Sequence, residues 1–141
     1  MCGIVGYVGP RDVRSLLISG LRLLEYRGYD SAGIALACAT ELRHTKRAGR
    51  LANLVTALAA VPASETPEAA GMAHTRWATH GAPTDTNAHP HFDEAGAIAV
   101  IHNGIIENHA ELRIALEASG HRFNTEVDTE VIAHQIGRAH V

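Results

Sequence analysis

The sequence predicts an α+β protein in which sheets and helices form separate layers, on three observations. Short apolar runs punctuated by glycine, at 3–8, 31–38 and 95–102, have the length of strands. Segments between them carry apolar residues at three-to-four-residue spacing, the stripe of an amphipathic helix. Two strand-like runs follow one another directly at 31–38 and 41–47, which departs from the strict strand–helix alternation of a parallel sheet. With 141 residues the chain has the length of one domain.

Residues 3–8 read as a buried strand ended by Gly9-Pro10. Asp12 is placed to cap a helix whose stripe is Val13, Leu16, Leu17, Leu21 and Leu24, closing near Arg27 with Gly28 as C-cap. Ser31–Cys38 and Glu41–Arg47 form a predicted hairpin around Ala39-Thr40, and 50–61 a second helix with Leu51, Leu54, Val55 and Leu58 on one side. Two prolines, Ser, Thr and two Glu make 62–70 a surface loop. A strand is expected over 71–77, whereas 80–94, rich in Gly, Pro, Asp, Asn and His, reads as irregular and as the place for function. Another strand is predicted over 95–102, halted by Asn103-Gly104. A helix is predicted over 108–119, with Leu112, Ala115 and Leu116 inward, and a last helix over 128–135. Ile136–Val141 breaks that periodicity and resembles a translated sequencing-adapter read-through. It is expected to be a non-native tail, outside a partial domain of residues 1–135.

Composition narrows the function. Hydrophobic residues make up 46% and charged residues 19%, and no apolar run nears the ~20 residues of a membrane span. A net charge of −3 without a Lys/Arg cluster argues against a nucleic-acid surface. Two cysteines are too few for a disulfide framework, and Cys38 reads as a core residue of a reduced protein. No secretory signal is recognisable, so a cytoplasmic location is expected.

Cys2 stands immediately behind Met1. A thiol of pKa about 8.5 is only a few per cent thiolate at neutral pH and needs a base to act as nucleophile. Removal of Met1, which a small second residue permits, would leave Cys2 with its own α-amine, of pKa about 7.7–8.0, as that base. On position alone Cys2 is an incidental second residue. The rest of the chain changes that reading.

Met-Cys-Gly-Ile-Val-Gly at 1–6, EYRGYDSAG at 25–33, HTRWATHG at 74–81, NAHPH at 87–91, HNGIIEN at 102–108 and DTEVIAH at 128–134 occur in this order. Together they resemble the class II, N-terminal-nucleophile glutamine amidotransferases, and within them the hexosamine-forming branch. The resemblance implies a four-layer αββα sandwich of two antiparallel sheets between helical layers, truncated here on its C-terminal side. It also implies hydrolysis of L-glutamine to glutamate and ammonia through a γ-glutamyl thioester on Cys2, without a cofactor. The branch's sugar-isomerase domains, which bind fructose 6-phosphate, have no counterpart in the sequence, and the parent enzyme is expected to be a homodimer. Two alternatives stand beside this reading: another class II amidotransferase such as the phosphoribosylamine-forming one, and an inactive fragment.

Asn103 and Gly104 are implied as oxyanion donors, by side-chain amide and backbone N–H; an Asn-Gly turn is compatible with that role. Arg76 is implied to grip the glutamine α-carboxylate and Asp128 its α-ammonium, with Thr79 and His80 completing the pocket. A surface ion pair is the alternative for Arg76, and for Asp128 a helix N-cap is as open as the ligand role on sequence grounds. Trp77, the only tryptophan, is either a core aromatic or a gate beside the pocket, and Arg27 is a supporting residue. Where the family reads close to Ser-x-Thr-Asp-Thr-Glu, this chain has Thr125-Glu126-Val127-Asp128-Thr129-Glu130, so the residue before Asp128 brings no hydroxyl. His80, His89, His91 and His102 raise a metal site, but no HExxH or paired CxxC accompanies them and no metal is expected.

Overall fold

A computed structural model describes residues 1–79 and 81–139. Among them, β1 (Gly3–Val8), β2 (Ser31–Ala37), β3 (Leu42–Ala48) and β4 (Ala70–Arg76) form one antiparallel sheet in the order β1-β4-β2-β3. Short strands β5 (His91–Phe92) and β6 (Ala99–Val100) form a second antiparallel pair. The helices are α1 (Val13–Leu24), α2 (Leu51–Ala59), α3 (His109–Ala118) and α4 (Glu130–Arg138). Helix α1 packs on β1 and β4 and α2 on β2 and β3, while α4 covers β5 and β6 and α3 lies against α4. The layers therefore run helix, sheet, sheet, helix. None of the described helices is long and apolar enough to cross a membrane.

The main core lies between the four-stranded sheet and the first two helices. Strand alternation puts Ala32, Ile34, Leu36 and Ala73 on the helix-facing side, where they meet Val13, Leu17 and Leu21 of α1 and Leu51, Leu54 and Leu58 of α2. Each buried leucine adds about 1.5–3 kcal/mol of apolar transfer. Asp12 caps α1 as expected, its carboxyl accepting from Ser15 N at 3.1 Å and Ser15 Oγ at 2.6 Å. The other side of the sheet carries the side chains at alternate positions, among them His74 and Arg76, and faces the second sheet.

Several expectations need correction. The strand expected over 95–102 is reduced to Ala99–Val100, because Asp93 Oδ1 accepts from Ala97 N and Ile98 N, both at 2.8 Å, and Gly96 takes φ +69. That turn consumes 95–98 and pairs β6 with His91–Phe92, so the segment taken as irregular contains a strand. In α3, Leu116 is buried and Leu112 half-buried, but Ala115 is exposed; among the helices and strands α4 makes the main contact with α3. Cys38 is half-buried just beyond β2 rather than in the core. Helix α4 runs on through Ile136 to Arg138, into the segment expected to break it.

Candidate active site

The end of β4 is the centre of the site. Gly28, closing a 3-10 turn over Glu25–Arg27, lies against the Arg76–Trp77 peptide so closely that a Cβ would come within 2.6 Å of the Arg76 carbonyl. Glycine is required there by this approach of two backbones. The adjoining Asp30 then braces the strand end: its N–H donates to Arg76 O at 3.2 Å, and its carboxyl accepts from Ala78 N. So fixed, Trp77 N–H donates to Cys2 Sγ at 3.1 Å, and the thiol reaches Trp77 O at 3.5 Å. A backbone N–H on sulfur is a donor aimed at the atom that would carry thiolate charge.

Arg76 is 3% exposed and donates from Nη1 to Ala82 O and from Nη2 to Gly81 O, each at 3.2 Å. Burial lowers its pKa, opposed by the nearby Asp30, Cys2 and Asp128. Its guanidinium folds the 81–82 turn over the site. That loop is fastened further on by Lys46 Nζ, donating to Thr86 O (2.8 Å) and Pro90 O (3.3 Å), and by Asn87, which bridges Ala82 O and residue 126.

From the other side, Asn103 Nδ2 donates to Cys2 O at 3.3 Å, and its Oδ1 lies 2.8 Å from His74 Nε2. Gly104 packs on the His102 ring, where a Cβ would come within 2.9 Å. Asp128, 4% exposed, accepts from Ile106 N at 2.8 Å and thereby ties the 102–108 loop to the start of α4. Its carboxyl makes no cap: α4 has Thr129 at its N-cap position and no side-chain cap bond. Upstream, Glu130 accepts from Asn124 N and Thr125 N, both at 2.8 Å, and from Thr125 Oγ1 at 2.6 Å. Val127, before Asp128, brings no hydroxyl, while the Thr125 hydroxyl organises the loop by donating to Glu130 and accepting from Val127 N at 3.2 Å.

These groups enclose a cavity of about 350 Å³ lined by Met1, Cys2, Arg27, Arg76, Trp77, Thr79, His89, His102, Asn103, Gly104, Ile105, Val127, Asp128 and Thr129. The structure brings together every candidate named from the sequence except His80, which lies outside the described residues. Trp77 is 48% exposed, edge-on to Tyr29 at 5.5 Å, and so is not a core aromatic. Arg27 reaches Met1 Sδ at 3.8 Å. Among the described residues no three His, Cys, Asp or Glu side chains converge as metal ligands. His74, His89 and His91 instead contact one another in series, the His89 ring tilted over His74 and His91 edge-on to His89, with ring centroids 4.4 Å apart at each step. Burial above all pushes His74 down to about 4 and His91 to about 3, and His89 lower still, so all three are neutral. Sequence reasoning passed over His74. Two positions before Arg76 in an extended run, it had to share Arg76's face.

Comparison with known proteins supplies the context. The family profile described as "Glutamine amidotransferase domain" matches residues 62–139, more than half of the chain. The chain is 60% identical over 134 residues to a Thermus thermophilus glutamine–fructose-6-phosphate aminotransferase (isomerizing), covering 95% of this chain and 22% of that protein. It is 57% identical over 140 residues to the Mycobacterium tuberculosis enzyme of the same name, covering 99% of this chain and 22% of that one. The chain therefore spans 22% of the length of these curated relatives. Among solved structures, the B. subtilis glutamine phosphoribosylpyrophosphate amidotransferase complexed with ADP and GMP superposes with TM-score 0.76 at 29% identity, covering 96% of this chain and 29% of that one.

Proposed function

This chain belongs to the glutamine amidotransferase domain family, and from that premise we propose that it is the glutaminase part of a glucosamine-6-phosphate synthase. It hydrolyses L-glutamine to glutamate and ammonia; in the longer parent protein, a cytoplasmic homodimer, the ammonia is destined for fructose 6-phosphate. The observation that carries this reading is the cavity itself, in which Cys2 Sγ, the Asn103 amide, a buried guanidinium and a buried carboxylate meet. Identity of 60% to an aminotransferase acting with fructose 6-phosphate, against 29% to a phosphoribosylpyrophosphate amidotransferase, favours the hexosamine branch.

In the reaction, Met1 is absent and the Cys2 α-amine takes the thiol proton as sulfur attacks the glutamine side-chain carbonyl. Trp77 N–H holds the sulfur before attack. The tetrahedral oxyanion is met by the Asn103 side-chain N–H and the Gly104 backbone N–H, each oxyanion donor contributing about 3–4 kcal/mol. The Cys2 ammonium returns its proton to the leaving nitrogen, ammonia departs, and a thioester remains. Water then attacks the thioester, restoring the thiol and releasing glutamate. Arg76 pairs with the α-carboxylate and Asp128 with the α-ammonium, while Thr79 and His80 close the pocket, Trp77 gates it and Arg27 supports the terminus.

Glutamate release by the purified protein, with Cys2→Ala as control, tests the reading. Release that depends on Cys2 is expected. Release that persists in Cys2→Ala, or none from the Met1-free protein, would sink it.

A further inference from the structure

We propose that His74 is a positioning residue for the oxyanion pocket, its Nε2–H holding the Asn103 side-chain amide in the one orientation that aims N–H at the Cys2 reaction centre. The proposal rests on the glutaminase reading and adds to it the device that orients the oxyanion donor.

Hydrogen-bonding capacity fixes the orientation. Cys2 O carries only lone pairs, so the Asn103 atom 3.3 Å from it must be the amide nitrogen. Oδ1 then faces His74 Nε2 at 2.8 Å and can only accept. His74 must therefore donate, which assigns the neutral Nε2–H tautomer with a lone pair on Nδ1. Nδ1 is buried and has no hydrogen-bond partner among the described residues. A lone pair is the less costly group to leave there, because a charged ring would bury an unpaired N–H together with its charge.

The two partners differ in rigidity, and that gives the contact its direction. Asn103 is exposed on the loop after β6, and its side chain has two partners among the described residues, Cys2 O and His74. His74 is 1% exposed in the central strand β4, registered between Ile4 of β1 and Gly33 of β2. The His89 ring stacks on it at 4.4 Å. Gly33 makes that stacking possible, since a Cβ there would overlap the His89 carbonyl oxygen. An amide without this anchor could rotate to present Oδ1 to the developing oxyanion, turning attraction into repulsion. An oxyanion donor works because it is oriented before charge develops.

Steady-state glutamine hydrolysis by His74→Leu, His74→Gln, Asn103→Ala and the His74→Leu/Asn103→Ala pair tests the proposal. His74→Leu is expected to lower kcat about 10- to 100-fold with KM little changed, a partial form of the 10²–10³-fold cost of deleting a donor. His74→Gln, which keeps an N–H donor, should restore most of the rate. The double variant should be no slower than Asn103→Ala, because without the amide there is nothing to orient. A wild-type kcat in His74→Leu, or losses that multiply in the double variant, would overturn it. Long-range ¹H–¹⁵N correlation on the unsubstituted protein gives an answer independent of activity and of variant folding. The neutral Nε2–H tautomer is expected; Nδ1–H or a charged ring at pH 7 would refute the assignment. Lack of Cys2-dependent hydrolysis in the unsubstituted protein would count against the glutaminase reading, and the tautomer would still decide the His74–Asn103 bond.

Discussion

Glu130→Ala is expected to be among the most destabilising single changes in the chain, although Glu130 does not line the cavity. Its carboxyl is 1% exposed and accepts three hydrogen bonds, from Asn124 N (2.8 Å), Thr125 N (2.8 Å) and Thr125 Oγ1 (2.6 Å). It also meets His134 Nε2 at 3.3 Å, one helical turn on, with His134 0% exposed. Asn124 is exposed and its N–H recovers water on truncation, and the Thr125 hydroxyl keeps His91 Nδ1 at 3.4 Å, but the buried Thr125 N–H and His134 Nε2–H are orphaned. At about 1–3 kcal/mol per buried donor left unpaired, the loss is about 4 kcal/mol, within the range of about 3–5 for breaking a buried pair. That is a large part of a domain stability of about 5–15 kcal/mol. Urea unfolding followed by the fluorescence of the single tryptophan, Trp77, provides the assay. With a slope of about 2 kcal/mol per molar, the midpoint should fall by about 2 M. Glu130→Gln keeps one acceptor oxygen and should fall between the two. A midpoint shift under about 0.5 M in Glu130→Ala, which is about 1 kcal/mol at that slope, would refute the idea that this carboxyl anchors the segment leading to Asp128.

Two further outcomes follow from the face of the sheet that supports the site. Gly33→Ala would drive a Cβ into backbone, the His89 carbonyl, with Lys46 on its other side; a loss of about 3 kcal/mol or more in the same unfolding assay is expected, at the top of the overpacking range, and an unchanged midpoint would contradict the close approach. Acid should also destabilise the fold. The folded-state pKa of His74 is depressed to about 4 and that of His91 to about 3, with His89 lower still, by burial first and then by neighbouring positive groups. The unfolded chain takes up these protons near pH 6.5 and the folded chain does not, so this contribution is flat above about pH 6.5 and is lost as pH falls below it. Each histidine adds a slope of about 1.4 kcal/mol per pH unit between its two pKa values. Stability measured from pH 7 to 5 should therefore fall by several kcal/mol, and a flat or rising profile would count against a neutral buried histidine cluster.

Local signals in the sequence were enough for the front half of the fold. The Asp12 cap, the α1 stripe and the hairpin of β2 and β3 are each specified by residues within a few positions of one another. Residues 95–98 misled because their apolar composition suits a strand, while the side chain of Asp93, earlier in the chain, turns them. Ala115 misled because the helical period gives a stripe but not how wide a stripe the neighbouring helix covers. Cys2, Arg76, Asn103, Gly104 and Asp128 stood out through their motifs, and the cavity joins them. The groups behind them were hidden for a physical reason: Asp30 and the buried histidines act through contacts between distant segments, and Glu130 acts through a loop closure that no helix or strand period marks. His89 needs the absence of a side chain at Gly33, 56 positions away by subtraction of the residue numbers. No local pattern records such a pairing.

Intact-mass spectrometry of the purified protein, before and after treatment with a glutamine-mimicking diazoketone, tests most directly whether Cys2 is an N-terminal nucleophile. The expected spectrum is lower than the full sequence by one methionine residue, and gains a single adduct that Cys2→Ala abolishes. A protein that keeps Met1 and takes no adduct, or a Cys2→Ala variant that still takes one, would contradict it.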